Sequence, residues 1–183
     1  MSTLKTIRLG LIGAGRMGSF HGQTAALHIP GARLVAIADP TPGQAARLAE
    51  TLGVQRVYSD PQQLLDDPQV DAILIAAPAR SHAELVISAA EAGKSIFCEK
   101  PMAITLEEAD RAIAAAARAN VTLQVGFNRR FVRGFRDAHL DVLAGRIGTV
   151  QLLRSLTRDP GLSNPAGVPQ WTIFLETLIH DFD

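Results

Sequence analysis

Ile7-Arg-Leu-Gly-Leu-Ile-Gly13-Ala-Gly15-Arg-Met-Gly18 is the stretch on which the fold turns. A short apolar run, Ile7–Ile12, ends in a glycine turn, and Arg16–His28 can continue as a helix. Each glycine has a physical task. Gly13 allows the tight turn, Gly15 lets backbone N–H groups approach a pyrophosphate, and Gly18 lets helix and strand pack closely. Phosphates would then sit at a helix N-terminus, where unpaired N–H groups and the helix dipole favour negative charge. Gly13, Gly15, Arg16, Met17 and Gly18 are therefore expected to contact a dinucleotide. Asp39 closes a second apolar run, Leu34–Ala38, about 20 residues beyond Gly18, the spacing at which a carboxylate meets an adenosine ribose. Its bland alternative is to open the Asp39-Pro-Thr-Pro turn. A carboxylate there would repel a 2′-phosphate, and no Arg or Lys follows until Arg47, so NAD is expected rather than NADP.

Outward from this turn, strand-like and helix-like segments alternate. Gln44–Leu52 has helical composition and stops at Gly53; Ala72–Ala76 is a third apolar run, followed by a helix from about His82 that ends before Gly93. Ser95–Cys98 and Val121–Val125 read as further strands, and Thr105-Leu-Glu-Glu108 as a capping box opening an alanine-rich helix to Ala119. Continuous apolar strands alternating with helices predict a doubly wound α/β fold with a parallel, Rossmann-type sheet. After Arg133 the pattern changes. A helix to Ala144, a strand Thr149–Thr157, a Pro/Gly/Asn-rich segment Asp159–Pro169 and a helix Ile173–Phe182 follow. The expectation is an NAD-binding domain over 1–125 and the truncated start of an α+β substrate and oligomerisation domain over 126–183.

Composition excludes several classes. The 183 residues carry 18 Lys+Arg against 18 Asp+Glu, are 47% hydrophobic and 20% charged, and contain one cysteine. A neutral balance argues against nucleic-acid binding, which needs a basic face. No apolar run reaches the roughly 18 residues of a membrane span, and Met1–Arg8 lacks a signal-peptide pattern. One cysteine excludes an internal disulfide and a cysteine-built zinc cage. His21, His28 and His139 lack metal-ligand spacing, so no metal site is expected and these histidines receive no role. A cytoplasmic protein is expected.

Glu99-Lys100-Pro101 follows the Ser95–Cys98 strand, at the strand end where open α/β sheets bind ligands. A lysine there can donate to a substrate hydroxyl; the alternative is a solvated turn. Gly13–Gly18, Asp39, Ala77-Pro78-Ala-Arg-Ser-His82, Glu99-Lys100-Pro101, Gln124-Val-Gly-Phe-Asn-Arg-Arg130 and His180-Asp-Phe-Asp183 occur in the order seen in the Gfo/Idh/MocA oxidoreductase family, which the chain resembles over its whole length. Family members extend about twice as far, so the resemblance is to their N-terminal half. Phe97-Cys-Glu-Lys-Pro101, Gly126-Phe-Asn-Arg-Arg130 and Leu153-Arg-Ser-Leu-Thr-Arg-Asp-Pro160 resemble the inositol dehydrogenase branch.

That resemblance implies oxidation of a secondary hydroxyl of a cyclic polyol to a ketone, with hydride passed to NAD. It implies a catalytic lysine, Lys100, and a D-x-x-x-H pair whose histidine is His180. The aspartate position falls on Glu176, a departure. Glu176 and His180 stand at i and i+4, on one face of an α-helix. His180 can take the hydroxyl proton while Lys100 stabilises the alkoxide. Ala77, Pro78, His82 and Glu99 are expected at the cofactor, with His82 over the ribose or nicotinamide or, alternatively, simply an early-helix residue after an N-capping Ser81. Arg129 and Asp159 fall at substrate-contact positions; either can equally be a turn residue. Cys98 reads as a small packing residue. Alternatives are a dehydrogenase or reductase of another sugar, and a non-catalytic dinucleotide-binding regulator. The expected partners are a small polyol or sugar and, at full length, further copies of the chain in a dimer or tetramer. Catalysis by these residues alone is not expected.

Overall fold

A computed structural model describes residues 6–157 and 172–183. The chain separates into two compact units, Met1–Gly126 and Phe127–Asp183.

The first unit alternates β1 (Ile7–Ile12), α1 (Arg16–Leu27), β2 (Ala32–Ala38), α2 (Gln44–Leu52), β3 (Arg56–Tyr58), α3 (Pro61–Leu65), β4 (Ala72–Ile75), α4 (His82–Glu91), β5 (Ser95–Cys98), α5 (Leu106–Ala119) and β6 (Leu123–Val125). The strands form one parallel sheet in the order β3-β2-β1-β4-β5-β6. This is the doubly wound, Rossmann-type arrangement, with the order reversing between β1 and β4. Strands in such a sheet bury both faces, and the alternation of side chains divides them between two cores. Ile12, Ala36, Ala38, Ile73, Ile75, Ile96 and Cys98 face the side packed by residues of α3, α4 and α5. Leu11, Leu34, Ile37 and Leu74 face the other side, with Ala45, Leu48 and Ala49 of α2.

Local chemistry ends the helices where composition indicates. Gly53 terminates α2 with φ +68°, and Asn120 terminates α5 with φ +54°. The Thr105 side chain accepts from the Glu108 N–H at 3.2 Å, and the Glu108 carboxylate accepts from the Thr105 N–H at 3.2 Å, completing the capping box. β3 and α3 are additions to the elements expected from the sequence. β3 has three residues at the sheet edge, too few for a period. α3 did carry a signal: Asp60 caps it by accepting from the Gln62 N–H at 2.9 Å, with Pro61 in its first turn.

The second unit contains α6 (Arg133–Leu143), a π-helical turn at Phe174–Leu178 and α7 (Ile179–Phe182). Two expectations are corrected here. Thr149–Thr157 forms no strand. A strand needs a partner for its N–H and C=O groups, and none exists among the described residues of this unit. The expected α-helix Ile173–Phe182 instead opens into the π turn, where residues stack at i and i+5, so the α-helical i, i+4 argument for Glu176 and His180 does not hold unchanged. Among the described residues, no helix is long and apolar enough to cross a membrane.

Candidate functional site

Ala38, Ile12, Ile75, Cys98 and Val125 stand in one row across the sheet. The next residue on each strand therefore lies on a common carboxyl-end rim. Its N–H groups are tied to the neighbouring strand: Gly13 to the Ala38 carbonyl (2.9 Å), Ala76 to Ile12 (2.8 Å), Glu99 to Ile75 (2.9 Å) and Gly126 to Cys98 (2.8 Å). Asp39 donates likewise to Tyr58 at 3.2 Å. Parallel register thus assembles, on one edge, segments separated by more than a hundred residues in sequence.

The glycine turn fills part of this rim. Gly13 adopts φ +95°, and a Cβ there would lie 2.6 Å from the Ala76 carbonyl oxygen. A Cβ on Gly18 would lie 1.9 Å from the Gly13 carbonyl oxygen, so the helix rests directly on the turn. Gly15 differs: its nearest neighbour would be Gln44 Nε2, at 3.7 Å. Gly15 also N-caps α1 without a side-chain hydrogen bond, leaving the first-turn N–H groups without a side-chain acceptor. Closed glycines at Gly13 and Gly18, with an open one before a helix lacking a side-chain cap, fit a bound pyrophosphate. Arg16 is exposed and Met17 half-buried on the first turn of that helix.

Asp39 is 8% exposed. Its Oδ2 accepts from the Ala14 N–H and its Oδ1 from the Thr41 N–H, each at 2.8 Å. It holds the glycine turn and its own turn together, and each oxygen retains acceptor capacity for a ribose hydroxyl.

His82 is placed otherwise than expected. The ring is 2% exposed. Its Nδ1 lies 2.7 Å from the Pro101 carbonyl and its Nε2 2.8 Å from the Ala77 carbonyl. The ring is buried with a backbone carbonyl at each nitrogen, donating to one of them when neutral, so packing within the chain rather than contact with a ribose or nicotinamide accounts for its place. It links the segments that follow β4 and β5. Ala77 is half-buried and Pro78 exposed at this edge. Ser81 precedes α4 but makes no side-chain cap, its neighbours Ala79–Ser81 forming a short 3-10 turn.

The Glu-Lys-Pro corner is likewise no solvated turn. Pro101 is buried, and the Glu99 side chain is only 13% exposed. Glu99 Oε1 meets His21 Nε2 at 2.6 Å, and Oε2 accepts from the Lys100 N–H at 3.1 Å. Burial pushes the Glu99 carboxyl up, but the hydrogen bond and charge of His21, together with the Lys100 N–H and ammonium, hold it below its ordinary value. Lys100 is half-buried on the rim. Cys98 faces the core, and burial, aided by the Glu99 charge, pushes its thiol up to about 12. Metal-ligand spacing alone gives His21 no role; the signal that points to it is its place three residues after Gly18, on the helix that follows the glycine turn.

In the second unit, Arg129 donates to Asp181 Oδ1 at 2.5 Å and to Thr157 Oγ1 at 3.0 Å, and reaches the His180 carbonyl at 3.3 Å. Ser155 and Thr157 hydroxyls donate to the same carboxylate at 2.5 and 2.8 Å. Those hydroxyls and then the Arg129 guanidinium pull the Asp181 carboxyl down to about 2. Asp181 thus organises this cluster, although the sequence offered it only as part of a motif. Arg130 pairs with Asp183 through Nε at 2.8 Å. His180 lies half-buried in α7, and Glu176 falls within the π turn. Asp159 lies outside the described residues. Among the described residues, no group of three His, Cys, Asp or Glu side chains is arranged to hold a metal.

Comparison with known proteins bears on these same residues. The chain is 38% identical over 179 residues to a scyllo-inositol 2-dehydrogenase (NAD(+)) of Bacillus subtilis, covering 97% of this chain and 52% of that protein. It is 41% identical to a myo-inositol 2-dehydrogenase of Thermotoga maritima, covering 97% and 53%. The chain therefore spans about half the length of the curated relatives it matches. The scyllo-inositol dehydrogenase of Lactobacillus casei, solved with bound NAD(H) and scyllo-inositol, superposes with a TM-score of 0.75 at 34% identity, covering 79% of this chain and 43% of that one. The family model described as oxidoreductase family, NAD-binding Rossmann fold, matches residues 7–127. That match begins at the strand feeding the glycine turn and ends just beyond the rim, and the chain accordingly belongs to the Gfo/Idh/MocA oxidoreductase family, with NAD as the cofactor of its first unit.

Proposed function

We propose that the protein is an NAD-dependent dehydrogenase that oxidises a secondary hydroxyl of an inositol-like cyclic polyol to a ketone. The observation that carries this reading is the shared rim: the open glycine cradle follows Ile12 of β1 and the Glu99-Lys100 corner follows Cys98 of β5, two positions of one row in the sheet with Ile75 of β4 between them. The activities of the two inositol 2-dehydrogenases that the chain resembles support the choice of a cyclic polyol.

Gly13, Gly15, Arg16, Met17 and Gly18 would hold the pyrophosphate, Asp39 the adenosine ribose, and Ala77 and Pro78 the remainder of the cofactor, while Glu99, with both oxygens engaged, would fix the Lys100 corner beside it. When bound, the nicotinamide supplies the two-electron acceptor. The work of this chain is to bind and orient the alcohol and to move its proton. Lys100 donates to the substrate oxygen and stabilises its developing negative charge, worth most where water is excluded. His180 accepts the hydroxyl proton, and Glu176 stands in the place of the aspartate in the branch it resembles. Arg129 and Asp159 contact ring hydroxyls, Arg129 with donors beyond those given to Asp181 and Thr157. The first unit binds NAD, and residues from 126 onward begin the substrate and oligomerisation domain of a cytoplasmic homo-oligomer.

The test is NAD reduction by the intact protein, followed by nicotinamide absorbance, with myo-inositol, scyllo-inositol and glucose compared. Turnover of an inositol, abolished in Lys100→Met with NADH binding retained, is the expected result. Turnover of glucose alone would move the substrate to another sugar. Tight NADH binding without turnover of any of the three would favour a dinucleotide-binding regulator.

A further inference from the structure

We propose that His21 is a positioning residue for Lys100, acting through Glu99; the inference rests on Lys100 being the group that meets the substrate oxygen. His21 belongs to α1, whose first turn forms the phosphate cradle, and one turn further on its Nε2 meets Glu99 Oε1 at 2.6 Å. The other oxygen of that carboxylate folds back to accept from the Lys100 backbone N–H at 3.1 Å. One carboxylate therefore connects the dinucleotide-binding helix to the peptide unit from which Lys100 projects. The pair is enclosed, with side chains 17% and 13% exposed.

Neighbouring residues restrict its geometry. The Phe97 ring meets the imidazole edge-on at 5.6 Å between centroids. At Gly126, just after β6, an added Cβ would lie 3.1 Å from Phe97 Cζ and in ordinary contact, 3.5 Å, with Glu99 Oε1, so a side chain there would press on the ring that flanks the pair. An enclosed carboxylate with both oxygens engaged has few alternative rotamers. Without the donor on α1, Glu99 Oε1 is free to turn toward solvent or toward the Lys100 ammonium. Either change alters how the amine is presented, with no change to the glycine cradle.

The experiment compares wild type, His21→Leu and His21→Gln in the intact protein, the glutamine retaining a donor without an imidazole. Three quantities are read: NADH dissociation constant, the rate of Lys100 acetylation by limiting acetic anhydride in the apoprotein (peptide mass readout), and kcat and KM on the inositol. In His21→Leu, NADH affinity stays within about twofold and Lys100 labelling changes by about threefold or more. There kcat falls by about tenfold or more, the scale expected when a reacting group is slightly misplaced. His21→Gln restores labelling and kcat to within about twofold of wild type. Unchanged Lys100 labelling in His21→Leu would overturn the proposal. So would a His21→Gln protein as impaired as His21→Leu, or a loss of NADH binding equal to the loss of kcat, since each points to general structural damage. Labelling needs no substrate, so it decides the role of His21 even if no inositol is turned over, an outcome that sinks the functional reading instead.

Discussion

Gly15 and Gly18 differ by three positions, and the same added methyl group should cost mainly cofactor binding at the first and mainly stability at the second. In Gly18→Ala the new carbon would sit 1.9 Å from the Gly13 carbonyl oxygen, so helix and turn must separate by more than an ångström. Placing alanine in a helix ordinarily gains about 0.5–1 kcal/mol over glycine, whereas forced overpacking costs about 1–3 kcal/mol. With so short a contact the upper end applies, leaving a net loss of about 2 kcal/mol and a fall in Tm of about 4–8 °C. In Gly15→Ala the nearest atom is 3.7 Å away and the backbone, at φ −71°, suits alanine. Loss of a favoured N-cap glycine costs about 0.5 kcal/mol, a Tm change of about 1–2 °C. Yet the methyl group occupies the space through which a pyrophosphate approaches, and NADH binding should weaken at least about tenfold, or about 1.4 kcal/mol. Circular dichroism melts and NADH fluorescence titrations separate the two effects. A Gly18→Ala protein that melts as wild type would refute the packing argument, and Gly15→Ala binding NADH as wild type would refute the cradle.

Other outcomes follow from named groups. Asp39→Ala strands the buried Ala14 N–H and should destabilise by about 1–3 kcal/mol while weakening NADH binding, measured by the same melts and titrations. Cys98, fully buried with its thiol pushed up to about 12, should resist Ellman's reagent at pH 8 until the protein is unfolded; rapid reaction of the native protein would contradict its burial. Asp181, ordinarily at 3.8 and lowered to about 2 in the folded chain, contributes stability above pH 3.8 that is lost as pH falls through about 2. The Tm difference between wild type and Asp181→Asn should accordingly narrow between pH 5 and pH 2, and a constant difference would show that the carboxylate charge is not what the cluster uses.

Much of the first unit was legible because its signals are local. The glycine turn, the Thr105-Leu-Glu-Glu108 capping box and the apolar runs of β1, β2, β4 and β5 each follow from residues within a few positions of one another. The edge strand β3 was not legible, since Arg56-Val-Tyr58 gains strand geometry only by pairing with β2. Thr149–Thr157 shows the converse: an alternating pattern with no partner strand among the described residues of its unit remains without strand structure.

The site divides along the same line. From the sequence alone came the type of fold and the dinucleotide turn with Asp39, because backbone conformation and spacing are encoded in neighbouring residues; Glu99-Lys100-Pro101 was marked out by its place at a strand end and by family resemblance. The partners of those groups came only from tertiary structure. Parallel register brought His21 to Glu99 across 78 positions and buried His82 between the Ala77 and Pro101 carbonyls. Within the second unit, the return of the chain brought Asp181 to Arg129. A side chain's hydrogen-bonding capacity can be read from its identity, but whether it faces a ligand or another part of the chain depends on which distant backbone the fold sets beside it.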